Sequence, residues 1–140
     1  MSINFLSAGY PFTIPHKTKF KAWVHKISIE EAYNVENIDI NVVTRKIIVD
    51  INKKFLRHNY PTDIITFDYS SGKILNAELF ICLPVVRGNS KTYKVTFEEE
   101  FVRVVFHGIL HLMKYDDHTD KDVKQMRAKE DYYLRKLYLK

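Results

Sequence analysis

The sequence is poor in residues that staple or punctuate a chain: one cysteine, four glycines and four prolines in 140 residues. A single thiol excludes an intramolecular disulfide, and Cys82 lies inside the apolar run LFICL, the setting of a buried, inert thiol. There is no repeat, no low-complexity tract and no linker rich in Gly, Pro or Ser. The chain therefore reads as one domain, of a size that buries about two thirds of its unfolded surface. Long apolar runs are missing too. Stretches such as Phe80–Leu83 and Val104–Phe106 fall far short of the roughly 20 residues of a membrane span. The opening MSINFLSAGYPF has neither the basic start nor the apolar segment of a secretory signal. These absences predict a cytoplasmic protein without membrane contact.

What the chain does have is an excess of positive charge, 22 Lys and Arg against 17 Asp and Glu, for a net charge of +5 and a pI near 9.2. That balance suits a polyanionic partner without demanding one. Lys17, Lys19, Lys21 and Lys26 form one basic group, and Lys53, Lys54, Arg57 and His58 a second. A third, from Lys121 to Lys140, is interleaved with acids and reads as a solvated helix face.

The pattern predicts a short strand at Ile3–Leu6, an irregular AGYPFTIP segment and a helix over His16–Tyr33, with Phe20, Trp23, Val24 and Ile27 at helical spacing. Ile38–Val42 alternates as a half-buried strand does. Thr44 can cap a helix running through Phe55, and strands follow at Thr62–Tyr69 and Leu75–Leu83. Pro84 suits the first turn of a short helix ending near Gly88. Thr96 with Glu99 makes a capping box for a helix apolar almost all round, and Thr119 with Asp122 starts a last helix to about Leu137. Elements mixed in this order predict a single α+β domain: a small mixed sheet of about four strands packed with several helices, with a metal-binding helix at the centre.

That helix carries FHGILHLMKYDDHTD, Phe106 to Asp120. Residues four apart on a helix share a face, so His107 and His111 can offer one nitrogen each to a single ion. A catalytic zinc takes three protein ligands and keeps a fourth position open, and Asp116, Asp117 and His118 follow within reach. Two inward histidines on an apolar helix, with a cluster of acids close by, would both be relieved by a cation. The residue after His107 is Gly108, not the glutamate that serves as general base in H-E-x-x-H peptidases, so a peptidase would need its base elsewhere.

HGILHL with Tyr115 and the polar turn after it resembles the signature helix of the bacterial rRNA maturation endoribonuclease YbeY family, H-G-x-L-H-L-x-G-Y-D-H. PTDIITF at Pro61–Phe67 is similar to the family's P-T-[DN]-V-L-S-F strand. Asn52 with Phe55 resembles its N-x-x-[YF] helix end, and NAELFIC at Asn76–Cys82 its G-D-[IL]-x-I strand. The resemblance implies a single-strand-specific, zinc-dependent endoribonuclease with one zinc per chain, acting in 3′-end maturation of small-subunit rRNA and in ribosome quality control. RNA, ribosomal RNA and the small ribosomal subunit are the implied partners. The family spacing places the metal ligands at His107, His111 and Asp117, with His118 the alternative third ligand. Lys114 stands in place of a family glycine. The family's arginine after the aromatic is Leu56 here, with Arg57 one residue later as the candidate catalytic arginine, and Ala77-Glu78 replaces Gly-Asp, leaving Glu78 as a candidate for the cleft. Lys53, Lys54 and Arg57 are the candidate RNA-binding residues. Competing readings are a zinc hydrolase of another class, such as a peptidase, and a non-enzymatic ribosome-assembly factor with a structural metal.

Overall fold

The computed structural model describes residues 1–8, 13–57 and 59–139, so Pro11 and His58 lie outside the described residues. Four strands, β1 (Ser2–Ser7), β2 (Asn34–Val43), β3 (Ile64–Asp68) and β4 (Ile74–Cys82), form one sheet in the order β1-β2-β4-β3. The β1–β2 and β2–β4 pairs are parallel and β3–β4 is antiparallel, a mixed sheet with β3 at an edge. Among the described residues five α-helices accompany it: α1 (Phe20–Glu31), α2 (Arg45–Ile51), α3 (Leu83–Thr92), α4 (Phe97–Leu112) and α5 (Asp120–Tyr133). The predicted α+β domain is the observed one.

Strand alternation sends successive side chains to opposite faces. Ile38, Ile40 and Val42 of β2, with Leu75, Ala77, Leu79 and Ile81 of β4, enter the main core with α1, α4 and α5. Val43, Ile65 and Cys82 turn the other way, toward Ile47, Ile48 and Ile51 of α2. Cys82 is buried as expected. On β2 the register shifts between Val35 and Asn37, a bulge that brings both Val35 and Ile38 into the main core despite their odd spacing. The strand is twice the predicted length for this reason: the bulge interrupts the alternation that marks Ile38–Val42.

Helix α4 is the central one. Phe101, Val102, Val105, Phe106, Ile109, Leu110 and Leu112 are all fully buried, and Gly108 crosses the sheet so closely that a Cβ would lie 2.7 Å from Ile64 Cδ1 and 3.1 Å from Leu79 Cδ1. Thr96 Oγ1 accepts from the Glu99 N–H, yet the reciprocal half of that capping box is missing among the described residues. Both halves form at Thr119 and Asp122, at the start of α5. The first predicted helix starts later than its spacing implies: residues 15–19 form turns, His16 has φ 56°, and α1 begins at Phe20. The helix at Pro84 runs on past Gly88 to Thr92, with Val86 and Ser90 buried. Helix α2 ends in a π-helical turn, Asn52–Leu56, and a second such turn, Leu134–Tyr138, continues α5. No helix among the described residues is long and apolar enough to cross a membrane.

Helix α4 ends in a Schellman motif, with Tyr115 N–H on the Leu110 carbonyl and Lys114 N–H on that of His111. Lys114 occupies the left-handed position, φ 77°, that favours glycine. Lys114→Gly is expected to raise stability by about 0.5–1 kcal/mol, because the ion pair it gives up to Asp68 is long, at 3.7 Å, and exposed. An unchanged or lowered melting midpoint would refute the strain.

Candidate active site

The polar residues of α4 form a stripe. Glu100, Arg103, His107 and His111 follow one another at spacings of three and four, so they share one face of an otherwise apolar helix. Helix α5 packs against this face, and its Glu130, only 4% exposed, joins the stripe together. Arg103 donates to Glu130 Oε1 at 3.0 Å and to Asp131 Oδ1 at 2.7 Å. The other Glu130 oxygen, Oε2, stands 2.7 Å from His107 Nδ1. With that nitrogen donating to the carboxylate, Nε2 is the free acceptor, and it lies 3.6 Å from Asp117 Oδ2.

This geometry bears on a metal. Two ligands about 2.0–2.2 Å from a tetrahedral zinc stand roughly 3.3–3.6 Å apart, so the spacing of His107 and Asp117 suits an ion held between them. It is too long for a direct hydrogen bond. His111, one turn on, is exposed, and its ring has no hydrogen bond or ion pair among the described residues. The expectation of two buried, unpaired histidines is thereby corrected: His107 is partly buried and paired, and His111 faces solvent. Burial presses the His107 pKa down, but the Glu130 hydrogen bond and the charges of Glu130, Asp63 and Asp117 outweigh it and leave the pKa raised.

The loop after α4 brings Asp116, Asp117 and His118 together, with ligand atoms within 4.8 Å of one another and all three residues exposed. His118 Nε2 pairs with Asp116 Oδ1 at 3.5 Å, while the Asp117 N–H donates to Asp116 Oδ1. Of the two candidates for third ligand, Asp117 is therefore the one that faces His107.

A cavity of about 230 Å³ opens beside His107 and Asp117, and Asp63, Glu100, Arg103 and Glu130 also line it. Burial raises the pKa of Asp63, against the favourable charge of His107, and burial likewise raises that of Glu100. None of these four residues was singled out from the sequence. The stripe on α4 was legible in principle, since Glu100 and Arg103 extend the His107–His111 spacing backward. Glu130 lies 23 residues from His107 and carried no local signal. Asp63 stands within PTDIITF, and Asn52 holds the approach to it by donating to the Tyr60 carbonyl and to Thr62 Oγ1.

Other sequence candidates lie elsewhere. Glu78 is on the sheet face turned away from α4, between the core residues Ala77 and Leu79, and accepts from the Tyr69 hydroxyl at 3.0 Å. Its assignment to the cleft is corrected: alternation along β4 points it to the opposite side. Lys53, Lys54 and Arg57 are exposed on and just after the π-helical turn, none of them lines the cavity, and Arg57 takes the left-handed conformation with φ 58°. Lys17, Lys19, Lys21 and Lys26 are exposed as well.

The loop is braced from behind. Glu31, at the end of α1, accepts from the hydroxyls of Tyr115 and Tyr133 and from Lys129, tying α1 to α5 and to the residue that precedes Asp116. Burial pushes the Glu31 carboxyl up, but these hydrogen bonds more than offset it and leave its pKa below the ordinary value. A lowered carboxylate contributes stability above its unfolded pKa and loses it as pH falls through the folded value. Glu31→Gln is therefore expected to cost about 1–3 kcal/mol at neutral pH, with the loss shrinking as pH drops below about 4.5. Denaturant unfolding at pH 7 and pH 3 checks this, and an equal loss at both would refute it.

The small α+β domain that presents this site has a solved counterpart. A solution structure of a Thermotoga maritima protein is similar at TM-score 0.70 and 29% sequence identity, covering 98% of this chain and 89% of that one. Sequence relatives narrow the class. The family model described as Endoribonuclease YbeY matches residues 12–138, and the chain belongs to that family. It is 43% identical to Endoribonuclease YbeY of Azobacteroides pseudotrichonymphae over 98% of this chain and 99% of the relative. It is 36% identical to that of Flavobacterium psychrophilum over 92% of each.

Proposed function

We propose that this chain is a zinc-dependent, single-strand-specific endoribonuclease that takes part in 3′-end maturation of small-subunit ribosomal RNA and in ribosome quality control. The observation that carries the reading is the free Nε2 of His107 facing Asp117, in a member of the YbeY endoribonuclease family. Of the three proposed ligands, His107 and Asp117 stand at ligand spacing, whereas His111 does not converge with them within 4.8 Å. With the His111 ring turned toward them, the three would hold one zinc, which when bound supplies Lewis-acid activation of water and of a phosphoryl oxygen. Glu130 fixes the orientation of the His107 ring and Arg103 fixes Glu130. Arg57, with Lys53 and Lys54, would hold the RNA backbone through charge, and the lysines near the start of the chain could extend that track. A cytoplasmic location and association with the small ribosomal subunit belong to the same reading.

The absence of a membrane-spanning helix among the described residues agrees with it. The peptidase alternative finds little support, because the position of its general base is Gly108, which has no side chain to act as one and packs against the Ile64 and Leu79 methyls rather than facing the cavity.

Purified protein is expected to carry about one zinc per chain and to cleave single-stranded RNA while leaving duplexes intact. Asp117→Ala is expected to lower zinc affinity more than His118→Ala, since only Asp117 faces the His107 nitrogen. A larger loss from His118→Ala would transfer the third ligand to His118. Full retention of cleavage after complete zinc removal would overturn the reading.

A further inference from the structure

The cavity beside His107 offers more than the proposed cleavage uses. Glu100 lines it and is only 4% exposed, yet its carboxyl has no hydrogen bond or ion pair among the described residues. Its oxygens are not sealed in, since the fully buried unpaired side-chain atom among the described residues is Asn52 Oδ1. They keep some accessibility at the cavity wall, with the charge of Arg103 near, and suit a visitor that brings N–H donors. Asp63, Asp117 and Glu130 add three further carboxylates, and the walls beside them are of other kinds. Val104, Val123 and Met126 are apolar, Tyr93 is 56% exposed, and the Arg127 side chain is 53% exposed with its guanidinium 3.8 Å from Glu130. At about 230 Å³ the cavity is smaller than the roughly 300–1,000 Å³ of drug-sized pockets, which suits a single ring system. It is not a preformed cation cage: among the described residues only Asp116, Asp117 and His118 converge within 4.8 Å, and Asp63, Glu100 and Glu130 do not.

We propose that this cavity binds a guanine base of the RNA strand, with the Glu100 carboxylate accepting from N1–H and N2–H and Arg127 donating to O6 or N7. The proposal rests on the endoribonuclease reading for the RNA and adds the identity of the base. Guanine alone among the four bases sets two N–H donors side by side for one carboxylate. Cytosine and adenine place an amino group beside a bare ring nitrogen, and uracil has one N–H between two carbonyls. Arginine is the usual partner of guanine O6 and N7. Apolar side chains and the Tyr93 ring match the faces of an unstacked base, as in other single-strand and flipped-base pockets. Because His107 and Asp117 line the same cavity, a guanine held there sets its own phosphodiester next to the candidate cleavage site.

Calorimetric titration of the purified zinc-loaded protein with 5′-GMP, IMP, AMP, CMP and UMP tests this. GMP is expected to bind about tenfold or more tighter than AMP, CMP or UMP, and IMP, which lacks the N2 amino group, to bind more weakly than GMP. Glu100→Gln, which replaces one acceptor with a donor, is expected to erase the preference. Equal affinities across the five nucleotides, or an undiminished preference in folded Glu100→Gln, would overturn the proposal. So would Mn2+ binding that Glu100→Gln abolishes, since it would give this carboxyl to a cation. Should Glu100→Gln fail to fold, the wild-type nucleotide series decides alone. Cleavage of RNA without a guanine preference in binding defeats only this inference, whereas GMP binding without any RNA cleavage defeats only the endoribonuclease reading.

Discussion

His107→Ala is expected to lose zinc and to cut RNA cleavage to about one thousandth or less of wild type, a barrier increase of about 4 kcal/mol. The variant removes the ring nitrogen that faces Asp117 and leaves His111 and Asp117 without the first of the three proposed ligands. The fold should survive, because Glu130 keeps its hydrogen bond from Arg103 after the imidazole has gone. His111→Ala offers the cleaner comparison. Its ring is exposed and unbonded among the described residues, so loss of metal there should come with almost no loss of stability. Metal analysis, a labelled single-stranded RNA assay and thermal melting on each variant separate the two effects. Stoichiometric zinc in the His107→Ala, His111→Ala double variant would remove the metal assignment altogether.

Glu130→Gln is expected to lower zinc affinity by about 10–100-fold, the usual cost of losing the carboxylate that orients a metal-binding histidine. In the native arrangement both Glu130 oxygens accept, one from Arg103 and one from His107 Nδ1. An amide can present only one acceptor, so its NH2 must face either the guanidinium or the imidazole N–H. The same change disturbs a buried ion pair and costs about 3–5 kcal/mol if the pair is fully broken, less if Asp131 retains Arg103. Chelator competition reads the affinity and denaturant unfolding reads the stability. A variant that is destabilised but holds zinc as tightly as wild type would make Glu130 a structural residue only.

These two expectations draw on different sources. The His107–His111 pair was legible because helical spacing is local: residues four apart share a face wherever the helix forms, and the apolar residues around them mark the helix. The proposed third ligand was legible only as a choice between Asp117 and His118, since a loop of exposed residues carries no periodicity to say which side chain turns toward His107. The partnership of Glu130 with His107 was not legible at all, because it depends on how α5 lies across α4. The expected burial of both histidines failed for a related reason: an apolar helix is buried by what packs on it, and none of the described residues covers His111.

Local chemistry by itself determined the order and kind of the elements, the N-terminal caps of α4 and α5, the inert Cys82 and the two helical histidines. Each of these follows from spacing or propensity within a few residues. The tertiary structure decided which carboxylates surround the site. Packing α5 against the polar stripe of α4 and the sheet edge at Asp63 brings Asp63, Glu100, Asp117 and Glu130 to one cavity from four separate stretches of chain. It likewise turned Glu78 away, since a strand's alternation is readable in sequence but the face that meets the central helix is chosen only when the sheet closes against its core.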